Sequence, residues 1–349
     1  MREVAKALLM VVCLLGAPAI ALAQDAVEVT NGDKFTGDVR GLEKGRLSFR
    51  TASAGAGHQR PAGTLSIIWT EVVRLTTTQE LELELRSGEL LVGTVSSPAA
   101  GKFVVRTATG PSRVIDRQEV ISVERREIGF RARTTGSVDF GLSYASAENA
   151  RTYTLTAEAS HRSPQYVYEN EVGVDSWLSA RDDVERLTRN MVTLDSRRRL
   201  GTNRWYALGK FMGQQDEELG LDARFVAGGG IGRRLVQSSS ARFLLEGGVN
   251  YDGEKYRGFG SYDNSAEVFG DVIWEWFEPG HSTEVKLVGN FFVALDENRQ
   301  RIQFDGTLRR DIFWSMYWSA NVTQSFDSEP PVGLPRGAFG LSFGLGWTF

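Results

Sequence analysis

The last eleven residues, FGLSFGLGWTF, constrain the fold more than any other stretch of the 349-residue chain. Read with a period of two, Phe339, Leu341, Phe343, Leu345, Trp347 and Phe349 point to one side, and Gly340, Ser342, Gly344, Gly346 and Thr348 to the other. One face is apolar and the other small and polar, and no charge interrupts the run. Period-2 strands also serve soluble sheets with one wet face. The strand therefore leaves two architectures open: a sandwich with the apolar face inside, or a barrel with that face outside.

The N-terminus narrows the choice. Arg2 and Lys6 precede the apolar run ALLMVVCLLGAPAI, and Ala21-Leu22-Ala23 forms a small-x-small cleavage site before Gln24. Residues 1–23 therefore read as a secretory signal peptide, and the mature chain leaves the cytoplasm. Cys13, the only cysteine, lies in the removed segment after Val12, which does not suit lipoprotein anchoring, so the mature chain carries no disulfide or thiol site. No later apolar run is long enough for a spanning helix. A mean hydropathy of -0.24 excludes a helical membrane protein but not a barrel, in which only alternate residues meet lipid. With 38 glycines against 9 prolines, strands and turns are favoured over helices. A net charge of -4 gives no basic excess for nucleic acid.

Residues 26–124 carry an internal repeat. VEVTNGDKFTGDV (Val27 to Val39) matches LELRSGELLVGTV (Leu83 to Val95), RLSFRT matches KFVVRT, and EVVRL matches EVISV, so that each copy spans roughly fifty residues. Asn31-Gly32 and Ser87-Gly88 mark hairpin turns. The pattern predicts two small curled sheets of the SH3 or Sm type, each too small to bury a core alone, packed on each other or on the next domain. His58, in the soft loop of the first copy, has no second ligand nearby. A linker over 125–135 follows. The arginines of ERREIGFRAR (Glu124 to Arg133) meet either lipid phosphates or water.

From 136 to 349 the chain becomes alternating segments of roughly ten residues, separated by polar turns. Val138, Phe140 and Leu142, then Leu245, Val249 and Tyr251, then Val268, Val272, Trp274 and Trp276 fall on one parity. Charges fall on the other, among them Asp139, Glu158, Arg224, Arg242, Glu246, Glu267, Asp271, Glu275, Glu284 and Lys286. Trp and Tyr residues gather near segment ends, as at a membrane interface. The expected fold is all-β: an antiparallel transmembrane β-barrel of about twelve strands, preceded by the two-repeat β domain. With that domain in the periplasm, the first strand runs outward and the last returns. DGEKYRGFGSYDN (Asp252 to Asn264) and DSEPPVGLPRG (Asp327 to Gly337) are then outer loops.

Ser342, Gly344, Trp347 and Phe349 resemble the C-terminal assembly signal of bacterial outer-membrane barrels, which implies the barrel-assembly machinery as a partner. The runs GSVDFGLSYASAENARTYTLTAEASHR (Gly136 to Arg162), WYALGKFMGQQDEELGLDARFVAGGGIGRRL (Trp205 to Leu235) and the segment from Asp327 to Phe349 resemble the DUF481 family (domain of unknown function 481), the salt-induced outer membrane protein group. Members often carry an NGD-x-x-x-G repeat, which Asn31, Gly32, Asp33 and Gly37 match. The first outer loop departs, with Ala145-Ser146-Ala147-Glu148-Asn149 where a Ser-Gly-Asn turn is usual. The resemblance implies the outer membrane, the barrel and a part in osmotic or salt stress. It supplies no catalytic residues.

The residues themselves offer little chemistry. His161-Arg162-Ser163 has the His-x-Ser spacing of outer-membrane lipases, but at the inner end of a strand and followed by Pro164. His281 beside Ser282 lies in another inner turn. Three histidines make a zinc site an unsuitable reading, and the carboxylates Asp216, Glu217 and Glu218 or Asp252, Glu254 and Asp263 show no ordered calcium pattern. No cofactor and no enzymatic activity are expected. The lumen charges Arg224, Arg242, Glu246, Glu267, Asp271, Glu284 and Lys286 either cross-link a closed interior or line a narrow pore. The function expected is a structural or interaction role in the Gram-negative outer membrane; the alternatives are a narrow solute or ion channel and a lipid-modifying enzyme. Outer-membrane lipid and lipopolysaccharide are the expected surroundings, and a periplasmic protein or peptidoglycan the expected partner of the repeats.

Overall fold

In the computed structural model, which describes residues 24–348 except 52–62, 109, 127–128, 146–149, 182–183, 202–203, 259, 281, 297, 314 and 331–335, all regular structure is strand or short 3-10 turn. Residues 1–23, which include Cys13 and the expected secretory signal, and His58, His281 and Phe349, lie outside the described residues. No described helix is long and apolar enough to cross a membrane.

The first domain is two like halves. Strands β1 (Asp25–Val29), β2 (Lys34–Glu43), β3 (Arg46–Thr51), β4 (Thr64–Ile68) and β5 (Val72–Thr76) are followed by β6 (Leu81–Leu85), β7 (Leu90–Ala99), β8 (Lys102–Arg106), β9 (Arg113–Asp116) and β10 (Val120–Arg125). A 3-10 turn precedes the last strand of each half, at Trp69–Glu71 and Arg117–Glu119. The first hairpin of each half closes through the amide of Gly32 on the Val29 carbonyl and that of Gly88 on the Leu85 carbonyl. The halves join where β2 pairs β10, with Leu42 opposite Val123, and where the Thr77 amide meets the Val95 carbonyl. One continuous core results, with Val27, Val39, Phe49, Trp69 and Leu75 packed together with Leu81, Leu83, Val95, Phe103 and Val123. Neither half buries a core of this size by itself.

The second domain is a closed antiparallel barrel of twelve strands. They are β11 (Thr134–Ala145), β12 (Ala150–Arg162), β13 (Tyr168–Arg181), β14 (Val184–Arg199), β15 (Trp205–Asp216), β16 (Leu221–Gln237), β17 (Ala241–Tyr256), β18 (Asp263–Glu278), β19 (Thr283–Ala294), β20 (Gln300–Phe313), β21 (Met316–Asp327) and β22 (Gly337–Thr348). Each pairs its neighbour in sequence, and β22 closes on β11 with Trp347 opposite Val138 and Leu345 opposite Phe140. Along β22, Phe339, Leu341, Phe343, Leu345 and Trp347 are all exposed on the outer face, while Gly346 is buried on the inner one. Closure joins the two end strands over Ser137–Phe140 and Leu345–Thr348, and pairing on both sides is the condition for strands to stand in hydrocarbon.

The interior is not wholly polar. Tyr206, Leu208, Leu244, Phe269 and Ile273 form an apolar cluster inside the barrel, on the wall from β15 to β18. Gly232 makes room for it: a Cβ there would lie 2.4 Å from the Tyr206 ring.

Three boundaries differ from the sequence reading. The outer turn expected from Asp252 begins later, since β17 runs on to Tyr256 and carries Asp252 and Glu254 into the lumen, where both are buried. The third barrel strand, expected over 165–179, begins at Tyr168, because Gln165 and Tyr166 take left-handed φ values of 58° and 51° and cannot continue a strand. The joint is solvated only in part: Arg126, Phe130 and Arg131 are exposed, but Thr134 already pairs His161 and Arg133 is buried.

Candidate functional site: the sealed mouth of the barrel

The first domain sits on one end of the barrel, here called the near end. Its β6 is the central contact. LELEL would be expected to keep one face wet, yet all five residues are buried, Leu81, Leu83 and Leu85 in the domain core and Glu82 and Glu84 against the barrel. Glu84 accepts hydrogen bonds from Arg199 at the end of β14 (2.6 Å) and from the Gln237 amide at the end of β16 (2.9 Å). Arg234 stands 3.7 Å away. Glu82 accepts from Arg133 (3.3 Å) and from the Gln165 backbone amide (3.0 Å).

Two further contacts complete the seam. The β2–β3 hairpin turns at Lys44 and Gly45, both at positive φ (50° and 73°), and enters the barrel rim. There Lys44 donates to Glu284 at 2.8 Å, and Arg46 donates to the Pro279 carbonyl and to Ser282. A Cβ on Gly45 would lie 2.6 Å from Pro279, so the turn must be glycine both for its φ and for the closeness of approach. On the other side Tyr166 shares a hydrogen bond with Ser122 (2.8 Å), and Glu124 accepts from Arg133 (3.0 Å) with Arg162 at 3.8 Å. Burial pushes the Glu124 carboxyl above its usual range, outweighing Arg162, the Tyr166 hydroxyl and Arg133, which pull the other way. Burial, reinforced by Glu124, holds the Tyr166 hydroxyl protonated far above the usual tyrosine range.

Behind the seam lies a polar cavity of about 60 Å³, lined by Glu84, Tyr166, Glu169, Arg234, Arg242 and Lys286 among others. Beyond it the lumen is cross-linked in two tiers, the first within β14–β18 and the second reaching β20 and the end of β21. In the middle, Glu246 accepts from Arg197 (2.8 Å) and Tyr206 (2.9 Å) and stands 3.1 Å from Lys210, which also binds Asp271. Toward the far end, Asp252 joins Arg224 (2.5 Å) and Arg301 (2.7 Å), Glu267 joins Arg301 (2.5 Å), and Arg299 joins Glu254 (3.1 Å) and Asp327 (2.6 Å). Three inward charges, Glu158 on β12, Arg189 on β14 and Lys286 on β19, remain exposed, while across β11 and β21 the Asp139 carboxylate accepts from Tyr317 and Ser319.

The seven charges singled out from sequence thus have other partners than parity alone pairs them with. Arg224 meets Asp252 and Glu254, Arg242 meets Glu275 at 3.6 Å, and Glu284 leaves the lumen network for Lys44 of the first domain. Lys286 stands opposite Glu275 in the register without a close ion pair among the described contacts. Glu246 and Asp271 share Lys210, and Glu267 pairs with Arg301. Arg197, Lys210, Tyr206 and Arg301 were legible only as inward parity on charged or hydroxyl residues. Nothing marked Glu82 and Glu84. Of the terminal set, Trp347 faces outward, Ser342 opposes Asn321, and Gly344 lies against Ser319, where a Cβ would come within 3.1 Å of its hydroxyl; Phe349 lies outside the described residues. His161 hydrogen-bonds Thr134 (2.9 Å) and stacks on Phe130 (4.1 Å), while Ser163 accepts from the Tyr168 amide. Among the described residues no group of three or more His, Cys, Asp or Glu is placed to hold a metal.

Fold and site together define a closed twelve-stranded antiparallel barrel whose near mouth is covered by its own N-terminal β domain. The chain belongs to the DUF481 family, proteins of unknown function, whose model matches residues 138–349. Comparison with curated proteins gave no match. Among solved structures the chain is similar to the NanC porin (12% identity, TM-score 0.39, covering 61% of this chain and 98% of that one). It is also similar to a bacterial polysaccharide outer membrane secretin (9%, 0.34, 62% and 97%) and to a porin (4%, 0.31, 62% and 99%). The barrel assignment rests on the strand register itself.

Proposed function

We propose that this chain is an outer-membrane β-barrel protein of the Gram-negative envelope, with its N-terminal domain in the periplasm, acting as a structural or interaction protein and not as an enzyme. The observation that carries this reading is the seam: buried carboxylates of β6 and the Lys44–Gly45 hairpin cover the near mouth, and a lumen blocked by its own domain is unsuited to bulk solute flow. Support for the membrane comes from the apolar outer face and from the aromatic residues near strand ends. The DUF481 resemblance adds a part in osmotic or salt stress, and the exposed face of the repeats is available to a periplasmic protein or peptidoglycan. Fractionation and gel mobility test the location: the mature chain is expected in outer-membrane fractions and to migrate differently before and after boiling. A soluble periplasmic protein with unchanged mobility would overturn the reading. A second reading, a narrow channel, draws on the exposed inward charges Glu158, Arg189 and Lys286. Single-channel recording separates the two, with near-zero conductance expected of the full chain and a stable ohmic conductance favouring the channel.

A further inference from the structure

The arginines of the near end fall into two sets by parity. Arg197, Arg199 and Arg234 point inward, and each is paired with a carboxylate: Arg197 with Glu171 and Glu246, Arg199 with Glu84, Arg234 with Glu169. Their chain neighbours Arg198 and Arg233 point outward, on the face that carries Leu194, Ile231 and Leu245. Both are exposed, and among the described contacts neither has a carboxylate partner. Each instead lies over an aromatic ring of the adjacent strand, Arg198 over Tyr168 (5.6 Å) and Arg233 over Trp205 (5.3 Å).

The register makes these four residues one patch. Tyr168, Arg198, Ala207 and Ile231 form one row across β13 to β16, and Trp205 and Arg233 lie side by side in the row nearer the domain. Two strand spacings, about 10 Å, separate the strands that carry the two arginines. The small Ala207 stands between them, and no outward residue of these rows is acidic. Stacking on a ring holds a guanidinium flat and leaves its N–H edge free for an acceptor. At the rim of a hydrocarbon belt the acceptors in reach are head-group oxygens, and paired N–H groups suit a phosphate.

We infer that Tyr168, Arg198, Trp205 and Arg233 form a binding site for the head group of an anionic phospholipid in the near-side leaflet. The rings rest at the head-group level and the two guanidiniums hold the phosphate and its negative charge. The inference rests on the membrane reading above.

The test uses the purified full-length mature chain in neutral detergent, with thermal unfolding followed during titration with short-chain phosphatidylglycerol, phosphatidylcholine or inorganic phosphate. Phosphatidylglycerol is expected to raise the midpoint at concentrations where the other two do not. The double variant Arg198→Gln, Arg233→Gln is expected to weaken that effect about tenfold while keeping its heat-dependent gel mobility. An equal rise with phosphatidylcholine, or a phosphatidylglycerol effect untouched by the double variant, would overturn the site. An equal rise with inorganic phosphate would make it a free-anion site and overturn the lipid assignment. If the double variant does not fold, the comparison of the three additives on the unaltered chain decides alone. Failure of the membrane reading looks different: a chain soluble without detergent and unchanged in mobility by boiling.

Discussion

Glu84 leaves its own domain to satisfy Arg199 and Gln237 of the barrel, so its removal strands a guanidinium and an amide in a place water scarcely reaches. Breaking a buried pair from one side costs on the order of 3 to 5 kcal/mol. Glu84→Ala is therefore expected to loosen the seam by about that amount and to raise hydrogen exchange at the Gln165 and Arg199 amides, with the barrel core unchanged. Unaltered exchange at those amides would count against β6 as the latch. Glu124 sets a pH dependence. Its carboxyl is raised by burial, so the folded chain binds that proton more tightly than the unfolded one. This contribution to stability is full below the unfolded value of about 4.5 and is lost as pH rises through the folded value. Glu124→Gln should accordingly flatten the thermal midpoint against pH in the mildly acidic range, which melts at several pH values would show.

At the scale of elements, the turn between β12 and β13 is built to be held from outside. Gln165 and Tyr166 both adopt left-handed backbone, which costs a residue with a side chain roughly 1 to 2 kcal/mol. Glu82 on the Gln165 amide and Ser122 on the Tyr166 hydroxyl offset it. Gln165→Pro removes the donated N–H and forces φ negative. It is expected to undock this corner and expose the joint near Arg133 to trypsin, while Gln165→Gly leaves the joint protected. Equal cleavage of the two variants would disconnect the turn from the seam. Among the arginines of the joint Arg126 and Arg131 stay exposed and Arg133 is buried; arginine density alone does not tell a wet position from a buried one, and for Arg133 the difference is Glu82, 51 positions earlier.

For the whole molecule, the lumen is unevenly filled, cross-linked from β14 to β18 and on to β20 and β21, with exposed inward charges left at Glu158, Arg189 and Lys286. Neutralising Arg224, Arg242 and Lys286 together is expected to leave conductance near zero, because the domain still covers the near mouth. Thermal stability should fall by about 1 to 3 kcal/mol, chiefly from Arg224, whose partners Asp252 and Glu254 are buried. A cation-selective current from this variant would place an open path beside the cross-linked wall.

Alternation over twelve segments sorted the strand residues onto two faces, because a period of two permits only two, while the choice of a barrel over a sandwich needed the secretory reading of the N-terminus and the aromatic segment ends as well. In the N-terminal domain the turns and repeated segments marked two halves, expected as two curled sheets, and the structure joins them through β2 and β10 into one ten-stranded sheet. Only the tertiary structure decided which charges meet, since partners such as Glu246 and Arg197 lie 49 positions apart and across a lumen whose width no local pattern encodes. It also decided that LELEL has no wet face. Leu81, Leu83 and Leu85 announce one buried side, but the burial of Glu82 and Glu84 comes from a surface supplied by Arg133, Arg199 and Gln237, and such a surface exists only once the two domains have met.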